Sequence, residues 1–404
     1  MNPVTKTRLS FMMFLQFFIW GAWFVTMGTY LSTELSAEGA QIGQAYETQA
    51  IGAILAPFII GLIADRFFPA QIILGVLHLV GAALMYMAAQ TPDFAGFYPY
   101  ILIYMVLYMP TLALVNSVSF RQMNDPSSQF AHVRIWGTIG WIIAGMLIGY
   151  VFLWESKGML KNTFYLSAGA SALLGLYSFT LPATPPKNKG EKTTVRDILG
   201  LEALGLLKDR NYLVFFIASI LICIPLAFYY QNANIFLNEV GMANAAGNMS
   251  WGQISEVLFM LALPVFLKKY GIKRTLLLGM FAWVLRYLLF AYGDAGSGVW
   301  MLFLGILLHG ICYDFFFVSG QIFTDHKAGE KIQSAAQGLI TLATYGLGML
   351  IGFRLAGLIY DQNALDAGGH AWQNIWLIPA AIAGVVAILY WLTFKNEKID
   401  NSAI

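Results

Sequence analysis

Charge is what this sequence most lacks. Only 11% of its 404 residues are charged, against about 25% in an ordinary soluble domain, whereas 58% are hydrophobic and 15% aromatic. That balance excludes a water-soluble globular domain and indicates a membrane protein. The formal net charge of +2 arises from basic residues scattered along the chain, which excludes the clustered positive patch of a nucleic-acid binder. Cysteine is nearly absent. Cys223 and Cys312 lie inside apolar stretches and match neither a metal spacing nor a disulfide framework, so both read as small buried hydrophobes. The five histidines, His78, His132, His309, His326 and His370, fall in different segments without H-x-x-x-H or carboxylate spacing. No metal centre, cofactor or catalytic cluster is therefore expected, and the chain does not read as an enzyme. Long polar sequence is scarce too, which argues against a receptor with a soluble output domain.

What the chain has instead is apolar runs of spanning length, each needing about 20 residues. Twelve can be marked: 10–31, 43–64, 70–90, 97–119, 133–154, 163–182, 211–237, 250–267, 274–292, 299–323, 334–360 and 372–394. They are continuous rather than alternating, which excludes barrel strands. The first is too long for a signal-peptide core and reads as a retained helix. All but four of the 23 lysines and arginines lie on one side of the expected spans or at its helix ends. Lys157 and Lys161 fall on the other side, and Arg286 and Arg354 lie within runs. By the positive-inside rule both termini are expected in the cytoplasm.

The longest polar interval, 183–210, carries TPPKNKGEKTTVRD and LLKDR. It follows six runs and precedes six, so the expected organisation is a six-helix bundle over 1–182, a cytoplasmic linker over 183–210 and a second six-helix bundle over 211–404. Each half has a matching connection after its second run, GLIADRFFPAQ from Gly61 and FLKKYGIKRT from Phe266. The first resembles the G-x-x-x-D-R loop of the major facilitator superfamily, in which Asp65 and Arg66 would latch neighbouring helix ends. The second keeps the basic residues without the motif's leading Gly and its Asp. The fold class implied is an all-α integral membrane protein with twelve helices in two halves related by a pseudo-two-fold axis.

Polar side chains inside such helices are costly and should face a cavity or the bundle interior. WGQISEVLFMLALPVFL, from Trp251, is apolar enough for lipid yet carries Gln253 and Glu256, which at i, i+3 share a helix face. In RIWGTIGW, Arg134, Thr138 and Trp141 fall at i, i+4 and i+7. FYYQNAN supplies Tyr230, Gln231 and Asn234, and HGICYDFFFVSG supplies His309, Tyr313 and Asp314. The first run adds Gln16, Trp20 and Trp23. Asp314 sits one position off the His309–Tyr313 face, where it could pair with a buried cation such as Arg286 or Arg354. Aromatic faces with amides and carboxylates suit a flat, hydroxylated, uncharged molecule. Neither a paired-cation clamp for phosphate nor a carboxylate ring for a polycation is visible.

Read in order, FLQFFIWGAWFVTMGTYL, YMPTLALVNSVSF, RIWGTIGW, QISEVLF followed by YGIK, AWVLRYLLFAYGD and YDFFFVSG resemble the nucleoside:proton symporter family of the major facilitator superfamily. The resemblance covers nearly the whole chain. It implies proton-driven nucleoside import across a bacterial cytoplasmic (inner) membrane by alternating access, with nucleoside, protons and the bilayer as partners and a monomeric carrier. In RIWGTIG, Arg134 and Thr138 match positions associated with ligand binding, and Trp141 stands where the family can have Phe. Gln253 and Glu256 match the polar pair expected to hold sugar hydroxyls, Glu256 being a candidate for proton coupling. Asp314 matches an acidic position and is the second coupling candidate. Tyr313 matches an aromatic position, and His309 stands where a Tyr can be found. The helix carrying FYYQNAN departs from the pattern: the family's Gln and Asn positions become Ala227 and Tyr230, and Gln231 and Asn234 keep the i, i+3 spacing one turn later. The departure leaves another small neutral solute, a sugar or muropeptide-like glycoside, as the alternative cargo.

Overall fold

A computed structural model describes residues 1–59, 68–186 and 201–397. Asp65 and Arg66, the expected latch, lie outside the described residues. Among the described residues there is no strand; the extended pairing is an isolated bridge between Ala364 and His370. Eight described helices are long and apolar enough to cross a membrane. Helix is the form a low-charge chain needs there, because it satisfies its own backbone groups away from water. The chain divides into two compact units, Met1–Ile198 with Ala243–Ser250, and Leu199–Met242 with Trp251–Ile404.

The first unit contains α1 (Pro3–Gly21), α2 (Met27–Glu34), α3 (Gly39–Ile59), α4 (Ala70–Gln90), α5 (Phe94–Arg121), α6 (Pro126–Met146), a π-helical turn (Leu147–Phe152) and α7 (Lys161–Ser178). The run 10–31, expected as one helix, is instead broken between Gly21 and Met27. Tyr46 makes the break tolerable. Its buried hydroxyl donates to the Phe24 carbonyl at 2.8 Å and accepts from the Gly28 N–H at 3.1 Å, so backbone groups freed by the break are paired without water. Glycines let α1 and α6 approach closely, as small residues do in membrane bundles: a Cβ on Gly140 would stand 2.2 Å from the Phe14 carbonyl oxygen. A polar chain then ties α1, α4, α5 and α7 together. Gln16 Nε2 donates to Thr111 Oγ1 at 2.7 Å, and the His78 ring meets Gln16 Oε1 at 2.8 Å and Ser171 Oγ at 3.1 Å. All of these side chains are buried. Gln16, a cavity candidate by sequence, is therefore spent inside the bundle.

The second unit opens with a short 3-10 helix (Leu201–Lys208). It continues through α8 (Arg210–Glu239), α9 (Ala245–Tyr292, whose residues up to Ser250 belong to the first unit), α10 (Val299–Leu307) and α11 (His309–Tyr313). A π-helical turn (Asp314–Val318), α12 (Ser319–Thr341), a second π-helical turn (Leu342–Gly348), α13 (Met349–Gln362) and α14 (Trp372–Thr393) complete it. Gly271 breaks α9 at φ 75°, a left-handed conformation that glycine adopts without steric cost, between the runs 250–267 and 274–292. The interval 183–210 is not polar connection throughout: Ala203 of the 3-10 helix packs with Ala336 and Leu339. Aromatic stacking fills the core of this unit, with the Tyr287 and Trp376 rings 5.5 Å apart and nearly parallel.

Candidate functional site

Each unit carries its own set of embedded polar and aromatic side chains. In the first, the i, i+4, i+7 spacing on α6 aligns Arg134, Thr138 and Trp141, all part-buried. Gly137 leaves room for the Phe17 ring, and the Arg134 guanidinium lies over that ring at 4.1 Å from its centre, a cation–π contact. The Trp141 ring lies edge-on to Trp20 at 5.4 Å, and Trp20 lies 5.7 Å from Tyr108. The result is an aromatic wall with one cation and two hydroxyls, of which that of Tyr108 donates to the Gln16 carbonyl. Trp23, by contrast, is fully buried against Tyr104 and Phe164 and belongs to the core.

In the second unit, backbone proximity builds the site. Gly310 has no room for a side chain, since a Cβ there would lie 2.6 Å from the Ser255 carbonyl and 2.7 Å from the Glu256 nitrogen. The Gly310 N–H donates to Ser255 Oγ at 3.1 Å, at a point where the helix is interrupted between Leu307 and His309. This contact brings His309 to Glu256, with Nε2 3.7 Å from Oε2. Glu256 is part-buried, as is Gln253 one turn earlier. The His309 and Tyr313 rings stack at 5.8 Å, and Tyr313 and Tyr345 share a hydroxyl hydrogen bond, linking the end of α11 to the second π-helical turn. Such turns replace the regular ladder with a wider one and recur at functional positions.

Asp314 begins the first of these turns. It is fully buried, and neither carboxylate oxygen has a hydrogen-bond partner among the described residues. The pairing with Arg286 that the sequence suggested does not form. Instead, Arg286 Nη1 lies 3.0 Å from His309 Nδ1, and its guanidinium stacks 3.4 Å from the centre of the Tyr229 ring. An ionised carboxylate without partners in such surroundings costs on the order of several kcal/mol.

The amides of α8 differ in their surroundings. Gln231, in the orientation that satisfies both of its ends, donates to the Phe353 carbonyl at 3.1 Å and accepts from the Gly357 N–H at 3.2 Å. It bridges the backbone of α13 and acts as interhelical glue. Asn234 is buried, with Asn238 donating to its side-chain oxygen at 3.3 Å. Sequence reasoning passed over Asn232, which is fully buried with both amide atoms unpartnered among the described residues. The signal was present, since any amide inside an apolar run invites a function. Tyr229 and Tyr345 had no such signal, because aromatics are common in these helices. Among the described residues no cluster of His, Cys, Asp or Glu could hold a metal ion.

An acid, an imidazole and a guanidinium enclosed in helices, beside a second acid that is buried and uncompensated, form the kind of ionisable constellation that marks substrate and proton paths in membranes. The Nucleoside H+ symporter family matches residues 3–399. The chain belongs to that family. Relatives named as nucleoside transporters or permeases align along nearly all of it. The chain is 46% identical to the "Putative nucleoside transporter YegT" of Escherichia coli (strain K12), over 99% of this chain and 96% of that protein. It is 34% identical to the "Nucleoside permease NupG" of the same organism, over 98% and 97%. The crystal structure of nucleoside transporter NupG superposes with a TM-score of 0.87 at 34% identity, covering 98% of this chain and 100% of that one. This nucleoside symporter family member is accordingly a multi-pass membrane transporter with the major facilitator fold.

Proposed function

We propose that the protein imports nucleosides together with protons across the bacterial cytoplasmic membrane by alternating access, working as a monomer in the bilayer with both termini in the cytoplasm. The observation that carries the coupling is Asp314, buried with no partner for either oxygen. A bare carboxylate there is too costly to keep enclosed, so the enclosed state needs the proton, and a carrier that must load a proton before closing moves both solutes together. Glu256 is the second ionisable group. Part-buried and close to His309, it accepts from ribose hydroxyls, with Gln253 on the same face. Arg134, Thr138 and Trp141 supply the aromatic and hydrogen-bonding contacts of the first unit. His309 and Tyr313 complete the ligand set of the second, with Asn234 a further contact, whereas Gln231 supports it through α13. Asp65 and Arg66 are the proposed latch at the cytoplasmic end.

If ligand binding favours proton binding, protonation favours ligand binding by the same factor. Uptake of radiolabelled uridine into proteoliposomes under an imposed pH gradient tests this reading. Asp314→Asn is expected to abolish gradient-driven accumulation while retaining nucleoside exchange between two equal pools. Glu256→Gln is expected to weaken nucleoside binding as well as accumulation. Accumulation retained in Asp314→Asn would remove Asp314 from the coupling step. A competition panel of nucleosides against sugars separates nucleoside cargo from a glycoside.

A further inference from the structure

Arg286 is a full positive charge inside a helix of an apolar unit, and nothing in the transport reading above uses it. It is 0% exposed. Its Nε and Nη2 have no hydrogen-bond partner among the described residues, so no carboxylate is hydrogen-bonded to either nitrogen. The charge is held by the face of Tyr229 at 3.4 Å, with Trp283 and Phe290 farther out at 5.5 and 5.7 Å. Aromatic faces can carry a desolvated guanidinium in this way. Its Nη1 is directed at His309 Nδ1, 3.0 Å away. A guanidinium has donors and no acceptor, so Nδ1 must offer its lone pair, and in a neutral imidazole the hydrogen then sits on Nε2. That nitrogen is the one 3.7 Å from Glu256 Oε2.

We propose that Arg286 is a positioning residue that holds His309 as the neutral Nε2–H tautomer, so that the imidazole presents a fixed donor to Glu256 and its ligand rather than taking up the transported proton. The groups facing the ring fit the assignment. Tyr229 stacks on it from α8 at 5.4 Å and Tyr313 from its own helix at 5.8 Å, Arg286 reaches it from the second half of α9, and Glu256 from the first. Adding a proton to Nδ1 would set an N–H against a guanidinium N–H and break the Arg286 contact. His309 therefore relays orientation, and the proton is left to the carboxylates. The ring stacking and the hydrogen bond together fix both the plane of the imidazole and the end that carries hydrogen.

This inference rests on the assignment of Glu256 as a ligand and coupling group, and the experiment separates the two. Protein labelled with 15N-histidine is purified and its ring nitrogens are observed at about pH 7, with the His309 signals identified by their loss in His309→Gln. The wild type is expected to show His309 with a non-protonated Nδ1 and a protonated Nε2. A protonated Nδ1 in the wild type would overturn the proposal, and this spectrum decides even if Arg286→Gln does not fold. Where Arg286→Gln folds, it is expected to give mixed tautomers and about a tenfold loss of uptake at low nucleoside concentration, the size of one charge-assisted hydrogen bond. In a His309→Gln background, where the amide N–H replaces Nε2–H and has no tautomer to set, the same substitution is expected to cost little. An equal loss in both backgrounds would show that Arg286 acts only through packing. Full nucleoside binding in Glu256→Gln would sink the role of Glu256 while leaving the His309 spectrum unchanged.

Discussion

A polar side chain within these helices has one of two fates, and hydrogen bonds distinguish them. Gln16 and Gln231 have both amide ends paired, to Thr111 and His78 in one case and to the α13 backbone in the other. Asp314 and Asn232 have none among the described residues. The paired group costs little to keep, but removing one member leaves its partners buried and unsatisfied. Gln16→Leu is expected to destabilise the protein by about 1–3 kcal/mol, read as a lower unfolding temperature of the purified carrier. Thr138 is part-buried on the aromatic face of α6. Thr138→Ala should leave that temperature nearly unchanged and raise the KM for nucleoside by up to about tenfold, as loss of a single neutral hydrogen bond allows. An unchanged KM would take Thr138 off the ligand.

Helix irregularities do the positioning at the next scale. The break after Gly21, the interruption at Leu308 and the π-helical turns at Asp314 and Leu342 each free backbone groups or rotate the side chains that follow. At the first two a side chain supplies the compensation, Tyr46 after Gly21 and Ser255 beyond Leu308. Glycines at these contacts are not interchangeable. Gly140→Ala would press a methyl group against the Phe14 carbonyl at 2.2 Å, and overpacking of that kind costs about 1–3 kcal/mol or more. Gly271→Ala meets nothing within 4 Å and pays only for its backbone at φ 75° and ψ 171°, a region nearly confined to glycine, at about 1–3 kcal/mol. Gly271→Asn should cost as much as Gly271→Ala, because asparagine tolerates the αL well but not ψ 171°, whereas Gly140→Ser should cost more than Gly140→Ala, as measured by thermal unfolding; a clear recovery by asparagine at 271 would contradict the backbone origin of that loss. The interruptions were not legible in the sequence, because a run such as 10–31 has the same hydropathy whether the helix is continuous or broken.

At the scale of the whole chain, the second unit has its own electrostatic clasp at the ends of its lipid-length segments. Asp209 caps α8 by accepting from the Tyr212 N–H at 2.8 Å and accepts from Lys327 Nζ at 3.0 Å. Lys327 also pairs with Glu397, and Asn211 binds the same tail residue at 2.8 Å. Partial burial alone would raise the Asp209 carboxyl, but the Tyr212 N–H and the Lys327 ammonium outweigh it and hold it below its ordinary value. Its contribution to stability is therefore present above the ordinary carboxylate range, about 3.9, and is lost as pH falls through the depressed folded value. Asp209→Ala is expected to cost about 1 kcal/mol at neutral pH through the lost cap, and the gap from wild type should close in acid. A gap independent of pH would assign the loss to packing. A protonophore should abolish concentrative uptake by the wild type and leave exchange intact, since only accumulation draws on the proton gradient.

Membrane residence, the helical class and the family could be read from the chain alone. They depend on composition and on ordered short motifs, and those are properties of a line of residues: scarce charge, long apolar runs, RIWGTIGW, QISE and YDFFFVSG. Sequence also marked Arg134, Thr138, Glu256, His309 and Asp314 as polar groups in expensive places. Only the tertiary structure decided which of them are paired. Helical spacing gives the face of one helix but not what the next helix presents to it, so Gln231 could not be seen to bridge α13, nor Arg286 to choose His309 over Asp314. Those outcomes depend on hydrogen-bond distances between segments far apart in the chain, and a few ångströms separate a satisfied amide from an orphaned one.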